Sequence, residues 1–183
     1  MNQHLGEMRT SSRATQAATN NLDLLTFDVA CSKLDALAES ILAHLAPIRY
    51  AAARTNEERE DIFRLRFRAV IDRGWARPED FPDGLERDSD DESAVLVGGW
   101  NGTTPVAAAR MIFPIHGLRL PVETLFGVDV EPPGQVVQVD RDPVDRTYRE
   151  RTSRLLLGMI AHCWLELRRR GYHVWTGVES PGM

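Results

Sequence analysis

Apolar residues return at helical spacing from Asp28 to Leu45: Val29, Leu34, Leu37, Ala38, Ile41, Leu42 and Leu45. That spacing predicts an amphipathic helix over 28–46, packed on the domain or on a partner, with Pro47 ending the pattern. The next run, "PIRYAAAR" (Pro47 to Arg54), reads as a short strand. "TNEE" follows, with Thr55 as N-cap and Glu58 three residues on. This capping box predicts a helix from Asn56 to Arg73, stopped by Gly74. "SAVLVGGW" and "PVAAARMIF" flank "NGTT", a hairpin signature with Asn101-Gly102 as the turn dipeptide. Proline-rich chain comes next, with a short helix near Val122 to Phe126, and "QVVQVDR" (Gln135 to Arg141) is a further strand. The strongest helix spans Thr147 to Gly171, with an apolar stripe of Leu155, Leu156, Met159, Ile160, Cys163, Trp164 and Leu167 and a basic end that suits the helix C-terminus. "YHVWTGVES" (Tyr172 to Ser180) is a last strand. The expected order is strand–helix–loop–strand–strand–loop–strand–helix–strand, a layered α/β or α+β domain.

Composition narrows the class. At 183 residues the chain fits one ordinary domain, and 43% hydrophobic with 27% charged residues suits a soluble globular protein. A formal charge of −5 gives no electrostatic reason to expect a nucleic-acid partner. No apolar run approaches the roughly 18 residues of a membrane span. Cys31 and Cys163 lie far apart, outside any CxxC or His-rich setting, so neither a disulfide framework nor a metal site is expected and a cytoplasmic setting is the default. The first 27 residues lack the apolar core of a secretory signal and read as a disordered tail. The expected domains are therefore the tail 1–27, the helix 28–46 and the main domain 47–183.

Charge is uneven, and this carries the candidate chemistry. Eight acids, Glu79, Asp80, Asp83, Glu86, Asp88, Asp90, Asp91 and Glu92, crowd into one stretch after Trp75. Arginines gather just before it, at 64–73, and again at 141–154. The acidic run is either a solvated loop or a set of positioned carboxylates. It fails the EF-hand pattern, because Ser93 stands where a calcium loop needs glycine.

Four pieces in order resemble the GNAT acyltransferase superfamily, and within it the autoinducer-synthase-like branch of acyl-homoserine-lactone synthases and N-acyl amino acid synthases. "FRLRFRAVIDRGW" is similar to that branch's arginine-bearing first helix ending in tryptophan. "GLERDSDD" carries Glu86, Asp88 and Asp91 at its E-x-D-x-x-D spacing. "AARMIFP" places Arg110 on the strand after the hairpin, and "VVQVDR" closes the next strand with Arg141. Departures are equally specific. Gln138 and Asp140 stand where the branch carries glutamate and serine, and Val70 where it carries phenylalanine. "YRERTSR" (Tyr148 to Arg154) has none of the glycines that let backbone N–H groups cradle a coenzyme A pyrophosphate. The chain stops at Met183, soon after the strand expected to flank the acyl chain. A fragment, a truncated relative and a domain completed by a partner are all open.

The resemblance implies a GNAT-like mixed central sheet flanked by helices, short of its C-terminal strands. It implies N-acyl transfer from acyl carrier protein, through its phosphopantetheine thioester, or from acyl-CoA, to the amine of an amino acid or S-adenosylmethionine, with no tightly bound cofactor. Acetyl transfer from acetyl-CoA and a catalytically degenerate GNAT-fold binding module are the alternatives. Glu86 and Asp88 are the expected proton acceptors, because crowded carboxylates raise one another's pKa values. Arg66, Trp75, Asp91, Arg110 and Arg141 are the expected substrate-binding set, with Trp75 either walling the pocket or plugging the loop onto the helix. Arg149, Arg151 and Arg154 would meet the acidic surface of a carrier protein. The whole expectation needs the guanidinium groups to converge on the acidic loop, building one charged cleft beside an apolar slot.

Overall fold

The computed structural model describes residues 26–177, the side chain of Arg149 excepted. The tail before Thr26, the chain beyond Gly177 and the Arg149 side chain lie outside the described residues. By its internal contacts the chain divides into two units, 1–37 and 38–183. The described part of the first is helical and belongs to a helix over 26–44, α1. Val29, Leu34 and Leu37, expected on its packed stripe, are exposed.

The second unit is built on five strands in the order β1-β2-β3-β4-β5: β1 Arg49–Ala52, β2 Val95–Asn101, β3 Thr104–Ile112, β4 Val136–Asp140 and β5 Val174–Gly177. The first three pairings are antiparallel and β4 with β5 is parallel. Helix α2, Asn56–Asp72, starts at the expected capping box, with Glu58 N donating to Thr55 Oγ1 at 3.2 Å, and Gly74 follows it at φ 69°. The short helix α3 spans Pro121–Phe126 and the long helix α4 spans Thr152–Arg169.

Two local expectations shift. Asn101 pairs with Thr104, so the hairpin loop is Gly102-Thr103, opening on glycine at φ 63°, and not Asn101-Gly102. Glycine at the first loop position suits the right-handed twist of the flanking strands. The long helix does not begin at Thr147: residues Arg146–Arg151 form a 3-10 segment with a kink at Tyr148, and regular helix starts at Thr152.

The pleat of the central strands positions everything that follows, because successive side chains point to opposite faces. On one face Val97, Ala107, Ala109, Met111 and Val137 meet Leu155, Met159, Cys163 and Leu167 of α4. These four recur every fourth residue, and each fully buried Leu or Met stabilises the fold by about 1.5–3 kcal/mol. Ile160, expected in the same stripe, is 52% exposed. On the other face Leu96, Trp100 and Ala108 meet Ile62, Phe63 and Leu65 of α2. Arg110 lies two residues beyond Ala108 and shares that face. Its partner across β3–β4 is Asp140, and Gln138 pairs with Ile112. The polar residues of β4 thus face the side where α2 presents Arg66.

Candidate active site

Three arginines from three elements converge on the acidic loop. Arg66 of α2 is only 1% exposed. Its Nε donates to Glu86 Oε2, and its Nη1 and Nη2 donate to Asp91 at 2.7 and 3.1 Å. Arg110 of β3 donates from Nε and Nη2 to both oxygens of Asp140, at 2.8 and 2.9 Å, and from Nη1 to Asp88 Oδ1 at 2.6 Å. Arg141 closes the ring: its Nη2 donates to Asp88 Oδ2 at 2.7 Å and its Nη1 meets Glu86 Oε1. Burial disfavours charge on Arg110, but Asp140 in contact, with Asp88 and Asp91 behind it, outweighs burial and raises its pKa. Buried charges persist only where they are paired in this way.

The loop that carries these carboxylates is ordered by its own backbone. Asp88 Oδ1 accepts from Asp90 N at 3.0 Å and Asp91 Oδ2 accepts from Asp88 N at 2.9 Å, capping a 3-10 turn at Ser89–Glu92. Asp91, placed with the expected substrate-binding set, does not line the cleft. It anchors the loop, assisted by Arg59, whose Nη2 donates to its backbone carbonyl at 2.5 Å. Glu86 and Asp88 do line the cleft, but each carboxylate oxygen already carries a guanidinium. Both expected proton acceptors are ion-paired in this structure.

These groups floor a cleft of about 420 Å³. Its walls are largely apolar, with Val70 of α2 and Leu125 of α3 contributing. Trp75 lines the cleft, is 55% exposed, and lies beneath the Arg73 guanidinium at 4.7 Å. Gln138 is buried in the floor, where its Oε1 accepts from Val122 N at 2.8 Å and its Nε2 donates to Asp140 Oδ2 at 2.7 Å. A glutamate there would oppose the like charge of Asp140, whereas the Gln138 amide donates to it.

β4 does not stay regular after Asp140. Arg141 takes φ 53°, an uncommon region for a residue with a Cβ. Pairing with β3 resumes only at Ala107 with Val144. Three residues of this chain, Arg141 to Pro143, therefore face two of β3, a bulge that re-aims the side chains around it. On the far side of β4 lies a second cleft, of about 480 Å³, lined by Leu156, Met159, Ile160 and Cys163 of α4 and by Val139 and Trp175 of the parallel strands. Burial pushes the Cys163 thiol up to about 12, so it serves as lining and not as a nucleophile. Arg151 and Arg154 line neither cleft. They border a pocket of about 90 Å³ beside Tyr50 and Tyr148. Among the described residues no group of three His, Cys, Asp or Glu side chains is placed to hold a metal ion, and no helix is long and apolar enough to cross a membrane.

An α2-covered and α4-covered mixed sheet with a bulged fourth strand and a parallel fifth is a GNAT-like fold. Two structures of one synthase share it. A CoA-dependent acyl-homoserine lactone synthase, BjaI, with SAM and isopentyl-CoA matches at TM-score 0.56 and 23% identity over 73% of this chain. The same synthase with MTA matches at TM-score 0.54 and 24% identity over 71%. The chain spans only 66% and 64% of those two synthase chains. A predicted acetyltransferase with acetyl-CoA from Clostridium acetobutylicum matches at TM-score 0.49 and 17% identity, over 73% of this chain and 82% of its own. No family model and no curated protein matches the sequence.

Proposed function

We propose that the protein is an N-acyltransferase that moves an acyl group from a thioester donor to the amine of a small acceptor. One observation carries this reading: a charged cleft and an apolar cleft lie on opposite sides of β4 and share one lining residue, Asp142 of its bulge. Acyl transfer needs a polar acceptor and a long apolar donor brought to one point from separate approaches. The acidic floor of the first cleft suits an amine that arrives protonated, such as an amino acid or S-adenosylmethionine. The apolar cleft suits the acyl chain and its thioester arm. Glu86 and Asp88, held by Arg66, Arg110 and Arg141, supply the fixed field for the ammonium group, and Trp75 walls it. BjaI is described as CoA-dependent, which supports acyl-CoA as donor. Acyl carrier protein is the second donor, docking on the basic segment of Arg149, Arg151 and Arg154.

The test is product analysis. The purified 183-residue chain is incubated with octanoyl-CoA, or the octanoyl carrier protein, and a panel of amino acids plus S-adenosylmethionine. Mass spectrometry should detect a new N-octanoyl amide dependent on the chain. Its absence across both donors and the panel would rule out the acyltransferase reading. A degenerate binding module has one observation in its favour, the saturation of Glu86 and Asp88 by arginines, and donor binding without amide would support it.

A further inference from the structure

The paired state of the cleft carboxylates raises a chemical problem. An amine that attacks a thioester must lose a proton, and Glu86, Asp88 and Asp140 each already hold guanidinium groups. Gln138, at the position where the resembling branch carries glutamate, cannot accept a proton at all. Two lining carboxylates have no ion-pair or side-chain hydrogen-bond partner among the described residues, Asp90 and Asp142. Asp90 lines the charged cleft alone, whereas Asp142 is the one residue that lines both clefts.

We propose, resting on the acyltransferase reading, that Asp142 is the general base of the transfer. It sits in the β4 bulge between Arg141 and Pro143, half-buried, where it borders both the charged floor and the α4 side. After burial and Glu166, its charge is the remaining contributor that raises the Cys163 thiol, so the carboxylate field reaches into the apolar cleft. The proline that follows disfavours helical backbone at Asp142.

The steps balance as follows. The acceptor enters as an ammonium group and gives one proton to the Asp142 carboxylate. The freed nitrogen lone pair attacks the thioester carbonyl carbon, forming the C–N bond and moving the carbonyl π pair onto oxygen. When that oxyanion collapses, the C–S bond breaks and its electron pair leaves on sulfur. The thiolate takes the proton held by Asp142, and the second amine proton passes to water. The products are an amide, a free thiol and one released proton.

Positioned general bases contribute about 10²–10⁴-fold. Asp142→Asn should therefore lower kcat/KM for octanoyl-CoA with the best amino acceptor at least about 10²-fold. Because Asp142 makes no hydrogen bond of its own, the variant's melting temperature should stay near that of the wild type. The acidic limb of the wild-type pH profile of kcat/KM should disappear in Asp142→Asn and return in Asp142→Glu. Hydroxylamine, already unprotonated at neutral pH, needs no base, so Asp142→Asn should keep near wild-type hydroxamate formation above the uncatalysed rate. A wild-type enzyme that makes amide while Asp142→Asn keeps both its rate and its acidic limb would overturn the assignment and leave the acyltransferase reading standing. An equal loss with hydroxylamine would also overturn it, since Asp142 would then be positioning substrate. No amide from the wild type would remove both.

Discussion

Arg141 does two jobs with one residue, and they can be separated. Its guanidinium joins Glu86 to Asp88, and its backbone at φ 53° makes the bulge. A left-handed residue with a Cβ is disfavoured by roughly 1–2 kcal/mol relative to glycine. Arg141→Ala and Arg141→Gly both lose the ion pairs, but only alanine keeps the backbone penalty. Urea unfolding should find Arg141→Gly more stable than Arg141→Ala by about 1 kcal/mol. Equal stabilities would mean that the bulge relaxes once the guanidinium is gone. Arg66 behaves differently, because it is buried and donates to two carboxylates. Arg66→Met leaves Glu86 and Asp91 buried with one cation fewer, and breaking such a buried pair costs about 3–5 kcal/mol. A denaturation midpoint close to the wild type for Arg66→Met would contradict the pairing.

At the scale of elements, α4 approaches β1 so closely that a Cβ at Gly158 would overlap the Tyr50 ring, whose hydroxyl donates to Leu155 O at 3.3 Å. Gly158→Ala alone should destabilise by about 1–3 kcal/mol through overpacking. In a Tyr50→Ala background the ring is gone, and the same substitution should stabilise α4 by up to about 1 kcal/mol, the difference in helix propensity. Calorimetric melting of the four-member set checks the change of sign. Elements of this kind were legible in the chain because local rules fixed them: the Thr55–Glu58 box, the α4 stripe, the turn residues between β2 and β3. Their edges were less so. "NGTT" offers two adjacent two-residue loops, and the strand register chose Gly102-Thr103, information that sits across the sheet and not within the turn. The Arg146–Arg151 segment carries no side-chain cap for α4, so nothing local marked Thr152 as the true start.

Across the whole molecule, the convergence of Arg66, Arg110 and Arg141 on the acidic loop could be anticipated from motif order, while the partner of each arginine could not. Asp140 and Asp142 are two residues apart and would share a face on a regular strand. Only the bulge sends one to Arg110 and the other to the junction of the clefts. Helical periodicity likewise placed His162 beside the α4 stripe without revealing its state. It is buried, its Nε2 has no partner, and burial, with Arg169 adding and Glu166 opposing, holds its pKa below the ordinary imidazole value. The folded chain therefore carries His162 neutral where the unfolded chain would protonate it. Between the depressed folded pKa and the unfolded value near about 6.5, the unfolded state binds more protons. Stability from this group is fully present above about pH 6.5 and falls as pH drops through that window. His162→Leu removes the titration and leaves no unpaired ring nitrogen. Urea unfolding at neutral pH and at mildly acidic pH should show a smaller loss of stability for His162→Leu than for the wild type. Parallel losses in the two proteins would show that the acid sensitivity of the fold comes from its carboxylate–arginine network instead.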